Sequence, residues 1–153
     1  MSRLAMLAVL SGVLAGSPAS AAGVTEPSYR ARCQMCHQGE AQGVPGQAPR
    51  LAGRIGTIAS SPDGRVYLVM IVLNGMSGGI TIDGRAIMGY MPGMPGLTDN
   101  DVARILNALI ATPGRKAAAF TPNEVAAIRQ RGRMSATQVA ALRAKLAANR
   151  LMP

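Results

Sequence analysis

Both cysteines and the single histidine of this 153-residue chain fall inside one five-residue window, Cys33-Gln34-Met35-Cys36-His37. Thiols and an imidazole at that spacing can serve a small number of chemistries. A thioredoxin-like dithiol needs a strand-helix pattern around it, and none surrounds this window. A tetrahedral zinc site needs a fourth ligand, and no further Cys or His exists to supply one. A structural disulfide between Cys33 and Cys36 is possible in an exported chain, but it closes only a tiny loop and leaves His37 unexplained.

Covalent haem attachment uses every residue of the window. On a helix the two cysteines stand on one face, so their thiols can add to the two vinyl groups of one porphyrin while His37 is carried beneath the iron. The composition agrees with such a guest. Aromatics are 3% of the chain with no Trp, whereas Met reaches 10 residues, so large rings are missing from a domain of this size and a buried porphyrin would supply the flat apolar mass. The haem-free chain is accordingly expected to be largely unfolded, by the logic that couples metal binding to folding.

The elements that must hold the window can be read from local signals. Pro27 can open a helix that runs to Cys36, because its missing N–H costs nothing in the first turn. Residues 39–56 are rich in Gly and Pro and predict an irregular loop. The apolar run 66–73, stopped by Asn74-Gly75, predicts a buried helix, and residues 77–96 read as loop. Thr98 and the acids Asp99 and Asp101 open a further helix with an apolar stripe of Val102, Ile105, Leu106 and Leu109, ended by Pro113-Gly114. Beyond it the related stretches TPNEVAAIR and SATQVAALR each begin with Thr or Ser and carry Glu or Gln three residues later, a capping-box pattern that predicts two short helices.

The first residues, MSRLAMLAVLSGVLAGSPASAAG, show an early Arg3, a short apolar run and small residues at Ala19-Ser20-Ala21, the plan of an export signal; a one-helix anchor is the competing reading. The remainder of the chain is long enough for one small domain plus an appendage. Charge divides the same way. Residues 22–114 hold seven Arg against six acids, a net of +1, while residues 115–153 hold six Arg and two Lys against Glu124 alone, a net of +7. The resulting division is a signal peptide at 1–21, a haem domain at 22–114 and a basic helical extension at 115–153.

CQMCH preceded by Tyr29, then APRLAG, then the buried helix, then GYMPGMPGLTDNDVARILNAL, resembles the small class I c-type cytochromes over residues 25–111. The stretch VLNGMSGGITIDGRAIMGYMPGM is similar to cytochrome subunits or domains that accept electrons from periplasmic quinoprotein or flavoprotein dehydrogenases. The resemblance implies an all-α fold wrapped around one covalent haem, with the first and last helices of the domain crossing and the two short helices of the extension added. It implies that Cys33 and Cys36 bind the haem, that His37 is the proximal iron ligand, and that the Pro49 carbonyl accepts from the other ring nitrogen. It also implies a Met thioether opposite. Met91 precedes Pro92 and lies six residues before Leu97-Thr98-Asp99, where the family carries its ligand, which leaves Met88 and Met94 as wall residues. Two positions depart from the family pattern: Ala108 stands where a Tyr or Trp is usual, and Thr25 where the first helix usually has Gly at the crossing.

Iron held by His37 and Met91 has no open position for substrate, which implies one-electron transfer rather than catalysis, in the periplasm, between a dehydrogenase and the respiratory chain. A haem enzyme or gas-binding sensor with an open or labile sixth position is the alternative. In the extension, Val139, Leu142 and Leu146 form a narrow apolar stripe, with Arg143, Lys145 and Arg150 elsewhere. Two readings stand: a helix pair packed on the haem domain, or a docking arm for an acidic dehydrogenase or an anionic membrane surface. Nucleic acid is excluded as a partner by compartment and by the lack of a recognition motif.

Overall fold

A computed structural model describes residues 23–153, so the signal or anchor reading of the first residues lies outside the described residues. The chain runs through α1 (Pro27–Arg32), α2 (Gln34–His37), α3 (Ile55–Ile58), α4 (Pro62–Asn74), β1 (Gly75–Ile82), β2 (Arg85–Pro92), α5 (Asp99–Ile110), α6 (Pro122–Arg129) and α7 (Ala136–Ala148). Among the described residues no helix is long and apolar enough to cross a membrane.

Helix starts follow their caps. Ser61 accepts from the Gly64 amide and Pro62 occupies the first turn of α4, whose Leu68, Val69, Met70, Val72 and Leu73 are all buried, as suits a helix apolar on every side. Thr98 and Asp101 cap α5 reciprocally. At its other end Lys116 Nζ donates to the carbonyls of Ala111 and Thr112 at 2.9 and 3.3 Å, satisfying groups the helix leaves unpaired. Helix α1 packs against α5 through Ser28 Oγ donating to Asp101 at 3.1 Å and through the Glu26–Arg104 pair. Ala108 is half-buried against the core.

The all-α expectation needs correction at residues 77–96. β1 and β2 form an antiparallel hairpin in register from Gly75↔Pro92 to Ile82↔Arg85, so the fold is mostly helical with one two-stranded sheet. The turn is Asp83-Gly84, with φ of 50° and 72°, and two successive left-handed residues match the twist of the flanking strands. One face of the ladder carries Met76, Gly78, Ile80, Ile87, Gly89 and Met91, and the apolar members of that face point inward. Gly75 opens the hairpin at φ 73°, where an added Cβ would overlap the Met91 carbonyl.

The extension is built into the same core. Val125, Ile128, Val139 and Leu146 are buried, and α7 lies on α4 and β1. Arg65 of α4 is the main tie: its guanidinium donates to both Glu124 carboxylate oxygens at 2.6 Å, to the carbonyls of Ala118 and Ala119, and lies 3.8 Å over the Phe120 ring. That tie has a local consequence. Ser135 and Gln138 form the full capping box of α7, but at α6 only the Thr121 half is made, because Glu124 turns to Arg65 instead of back to the cap amide. The apolar stripe of the extension, Val139, Leu142 and Leu146, packs where α7 lies on α4 and β1.

Candidate functional site

Cys33 ends α1 and begins α2, its carbonyl accepting the His37 amide at 2.8 Å, so a single helical turn carries both thiols and the imidazole. Cys33 and Cys36 are free, the first buried and the second exposed. Burial, then the nearby Glu26 and Cys36, push the Cys33 thiol up to about 11, so it stays protonated.

His37 is buried, and its Nδ1 lies 3.0 Å from the Pro49 carbonyl oxygen. Burial holds its pKa below the ordinary histidine value, against the opposing pull of that carbonyl. With Nδ1–H donated to Pro49, the neutral ring presents Nε2 as a free lone pair. The loop between them is folded to make this bond. The Gly43 amide returns to the His37 carbonyl at 3.0 Å, Val44 bridges Ala48, and the amides of Leu51 and Ala52 both reach the Ala41 carbonyl. Tyr29, fully buried, donates to the Gln38 carbonyl at 2.7 Å and fixes the chain just past the window.

These residues border a cavity of about 410 Å³, within the size range of cofactor pockets. Cys33, Cys36, His37 and Pro49 line it together with Met91, as do Leu68, Ile105 and Leu109 from the helices. Met94 is also in the wall, its amide held by the Val72 carbonyl at 2.9 Å. Met88 is not: it stands on the outer face of the hairpin, 75% exposed, because the strand period of two turns it away from Met91. Its expected place as a wall residue is corrected accordingly.

Several wall residues went unread in the sequence. Tyr67 and Met76 lie in the cavity, with the Tyr67 hydroxyl 4.0 Å from the Met76 sulfur. Burial raises Tyr67 to about 12, partly countered by Arg143 and Arg54 nearby. A lone hydroxyl inside the apolar run of α4 was the available signal. Arg54 is buried and Arg143 comes from α7; nothing in the extension's own periodicity points Arg143 at the cavity.

The arrangement fits a covalently held metalloporphyrin. Two free thiols stand at one edge, a tautomer-fixed imidazole and thioethers offer iron ligands, and the lining is mostly apolar. Among the described residues no group of three or more His, Cys, Asp and Glu could hold a bare metal ion.

Comparison with known proteins agrees with this chemistry. The family model described as cytochrome c matches residues 27–112. One cytochrome c-552 of Thermus thermophilus is 34% identical over 151 residues, covering 95% of this chain and 98% of the relative. Another cytochrome c-552 of Thermus thermophilus is 36% identical over 121 residues, covering 76% and 92%. The match to the first relative takes in most of the extension, which the family model leaves out. A mostly apolar cavity beside a Cys-x-x-Cys-His turn and kinship along nearly the whole length place this chain in the cytochrome c family, as a monohaem class I c-type cytochrome, an electron-transfer protein with covalently bound haem c.

Proposed function

We propose that this electron carrier works after export, in the periplasm, taking electrons from a dehydrogenase and delivering them to the respiratory chain. The bound haem supplies the ferric/ferrous couple. Cys33 and Cys36 would hold the haem covalently, tying its edge to α2. His37 ligates through Nε2 while its Nδ1–H stays on the Pro49 carbonyl, which keeps the ring oriented and electron-rich. Met91, which lines the same cavity, would offer a second ligand, a soft, neutral thioether that favours the reduced state. With both ligands supplied by the chain, little rearrangement would accompany the change of charge.

The His37–Pro49 hydrogen bond is the observation that supports the haem ligation in this reading, because it commits one ring nitrogen to the protein and leaves the other for a metal. Absorption spectra of the exported protein test it. A pyridine haemochrome of the thioether type, a far-red sulfur-to-iron band in the ferric state and no response to CO are expected. Ready CO binding would instead indicate a haem enzyme or gas sensor.

The exposed cations of the extension support an anionic partner. Arg129 is committed to Asp99 at 2.7 Å and Lys116 to the end of α5, but Arg131, Arg133, Lys145 and Arg150 lie at the surface. They would steer an acidic protein or an anionic membrane surface toward this side of the molecule.

A further inference from the structure

The hairpin changes character halfway along. Its base is packed: Gly75 and Met76 are buried, an added Cβ at Gly75 or Gly93 would overlap neighbouring backbone, and the Met94 amide just beyond is held by the Val72 carbonyl. The middle rung is empty. Gly78 and Gly89 are direct partners with no side chain on either strand, nothing lies within 4 Å of a Cβ added at either, and Gly78 takes a φ of 113°. Cross-strand side-chain pairs stiffen a two-stranded ladder, so this rung bends most easily. Beyond it lie residues 79–88, whose Ile82 and Ile87 are buried yet stand outside the contiguous core. With Ile80, the direct partner of Ile87, they line the cavity. The tip is tied to the far wall. Asp83 accepts from Arg50 Nε and Nη2 at 2.9 Å each, and Arg50 follows Pro49, whose carbonyl holds His37. Arg54, itself buried, adds its Nη1 3.7 Å from the same carboxylate. The Arg50 and Asp83 side chains are 39% and 48% exposed, so the tie is weak enough to open and is screened by salt.

We infer that residues 79–88 are a flap over the cofactor, hinged at the Gly78–Gly89 rung and latched by Arg50 to Asp83, and that Asp83 is thereby a positioning residue for the reduction potential. The inference rests on the cavity being the haem's seat, whereas the hinge and the latch are features of the chain alone. Closed, the flap lays Ile80, Ile82 and Ile87 along the cavity and keeps water from it. An apolar, water-poor surrounding disfavours the more highly charged ferric state, so closure raises the potential and opening lowers it. Met91 lies two residues past Gly89, on the packed side of the hinge, so the flap can open without carrying it away. The latch joins the loop that orients His37 to the strand pair that carries Met91, so one ion pair spans both walls of the site. A pair of this exposure shifts the open and closed populations by about twofold to fivefold.

Full-length holoprotein carrying R50Q/D83N or the charge swap R50D/D83R tests this, because both keep the wild-type net charge and only the first removes the latch. R50Q/D83N should speed hydrogen exchange of the ladder amides in residues 79–88 by roughly twofold to fivefold, lower the midpoint potential and keep the far-red sulfur-to-iron band. R50D/D83R should return exchange and potential most of the way to wild type. Exchange in the wild type should quicken with ionic strength, and in R50Q/D83N it should not. Wild-type exchange and potential in R50Q/D83N, or equal changes in the swap, would overturn the latch. Loss of the far-red band in R50Q/D83N would mean that the tip and Met91 move as one body, which overturns the hinge. Absence of haem or of that band in the wild-type protein would instead overturn the haem seat itself.

Discussion

Met76 and Met91 are direct partners across the β1–β2 ladder and both line the cavity beside the Cys33–His37 turn. Two neighbouring thioethers could compete for one iron, and their surroundings separate them. Met76 is buried, with the Tyr67 hydroxyl near its sulfur, while Met91 is half-buried beside the Gly75 turn that opens the hairpin. M91A should abolish the far-red ferric band and admit CO. M76A should keep the band while losing about 2–5 kcal/mol of stability, the usual cost of emptying a buried Met. Retention of the band in M91A with its loss in M76A would reverse the assignment.

The cavity predicts how far the fold depends on its guest. Leaving about 410 Å³ open beside the core forfeits packing on the order of several kcal/mol, even discounting its open side, and a small domain has only about 5–15 kcal/mol in total. Chain made without haem, or as C33A/C36A, should show little fixed helix by circular dichroism and no cooperative thermal transition. A sharp transition in the haem-free chain would show that the helices and extension suffice alone.

Glu124 gives the extension a defined acid response. The Arg65 guanidinium, through hydrogen bonding first, holds its carboxyl below the ordinary value of 4.5. A depressed carboxylate contributes stability above its unfolded pKa, and the contribution is lost as pH falls below about 4.5 toward the folded value. E124Q should therefore lower Tm at pH 7 and narrow its gap from wild type as pH is taken below 4.5. A gap that persists unchanged at low pH would mean that the Arg65–Glu124 pair contributes no charge-dependent stability.

Local signals gave the helices because caps are local. Thr98 with Asp101, Ser135 with Gln138, and Pro27 at a first turn stand where the sequence places them, whereas α4 starts at Pro62, four residues before the apolar run that signalled it. The hairpin was legible too, in Ile80-Thr81-Ile82-Asp83-Gly84, an alternating run into a two-residue turn. The glycines at 75, 78, 79 and 89 obscured it by lowering strand propensity on both sides. Pro49, twelve residues from His37, meets it through a loop whose backbone bonds no periodicity reveals. Arg143 was illegible for a different reason. A helix's own stripe says which face is apolar, not which neighbour its half-buried flank will meet, and that is fixed only when α7 settles on α4 and β1.

The packed extension also decides how its docking role should be tested. Deleting residues 115–153 would uncover α4 and remove Phe120, Val125, Val139 and Leu146 from the core, so any loss of rate would confound docking with unfolding. Exposed charge can be reversed without that damage. Arg131 and Arg133 lie in the turn between α6 and α7, outside the cavity wall and away from the Arg65 tie. If this surface steers an anionic partner, R131E/R133E should slow electron transfer to an acidic acceptor at low ionic strength by about tenfold or more, within the range that steering supplies. The difference should close as salt shortens the Debye length to about 8 Å near 0.15 M. The midpoint potential and Tm should stay at wild-type values, since neither residue lines the cavity. Electron-transfer rates measured across ionic strength check this, and an unaltered salt slope in R131E/R133E would leave these charges as solvated surface alone.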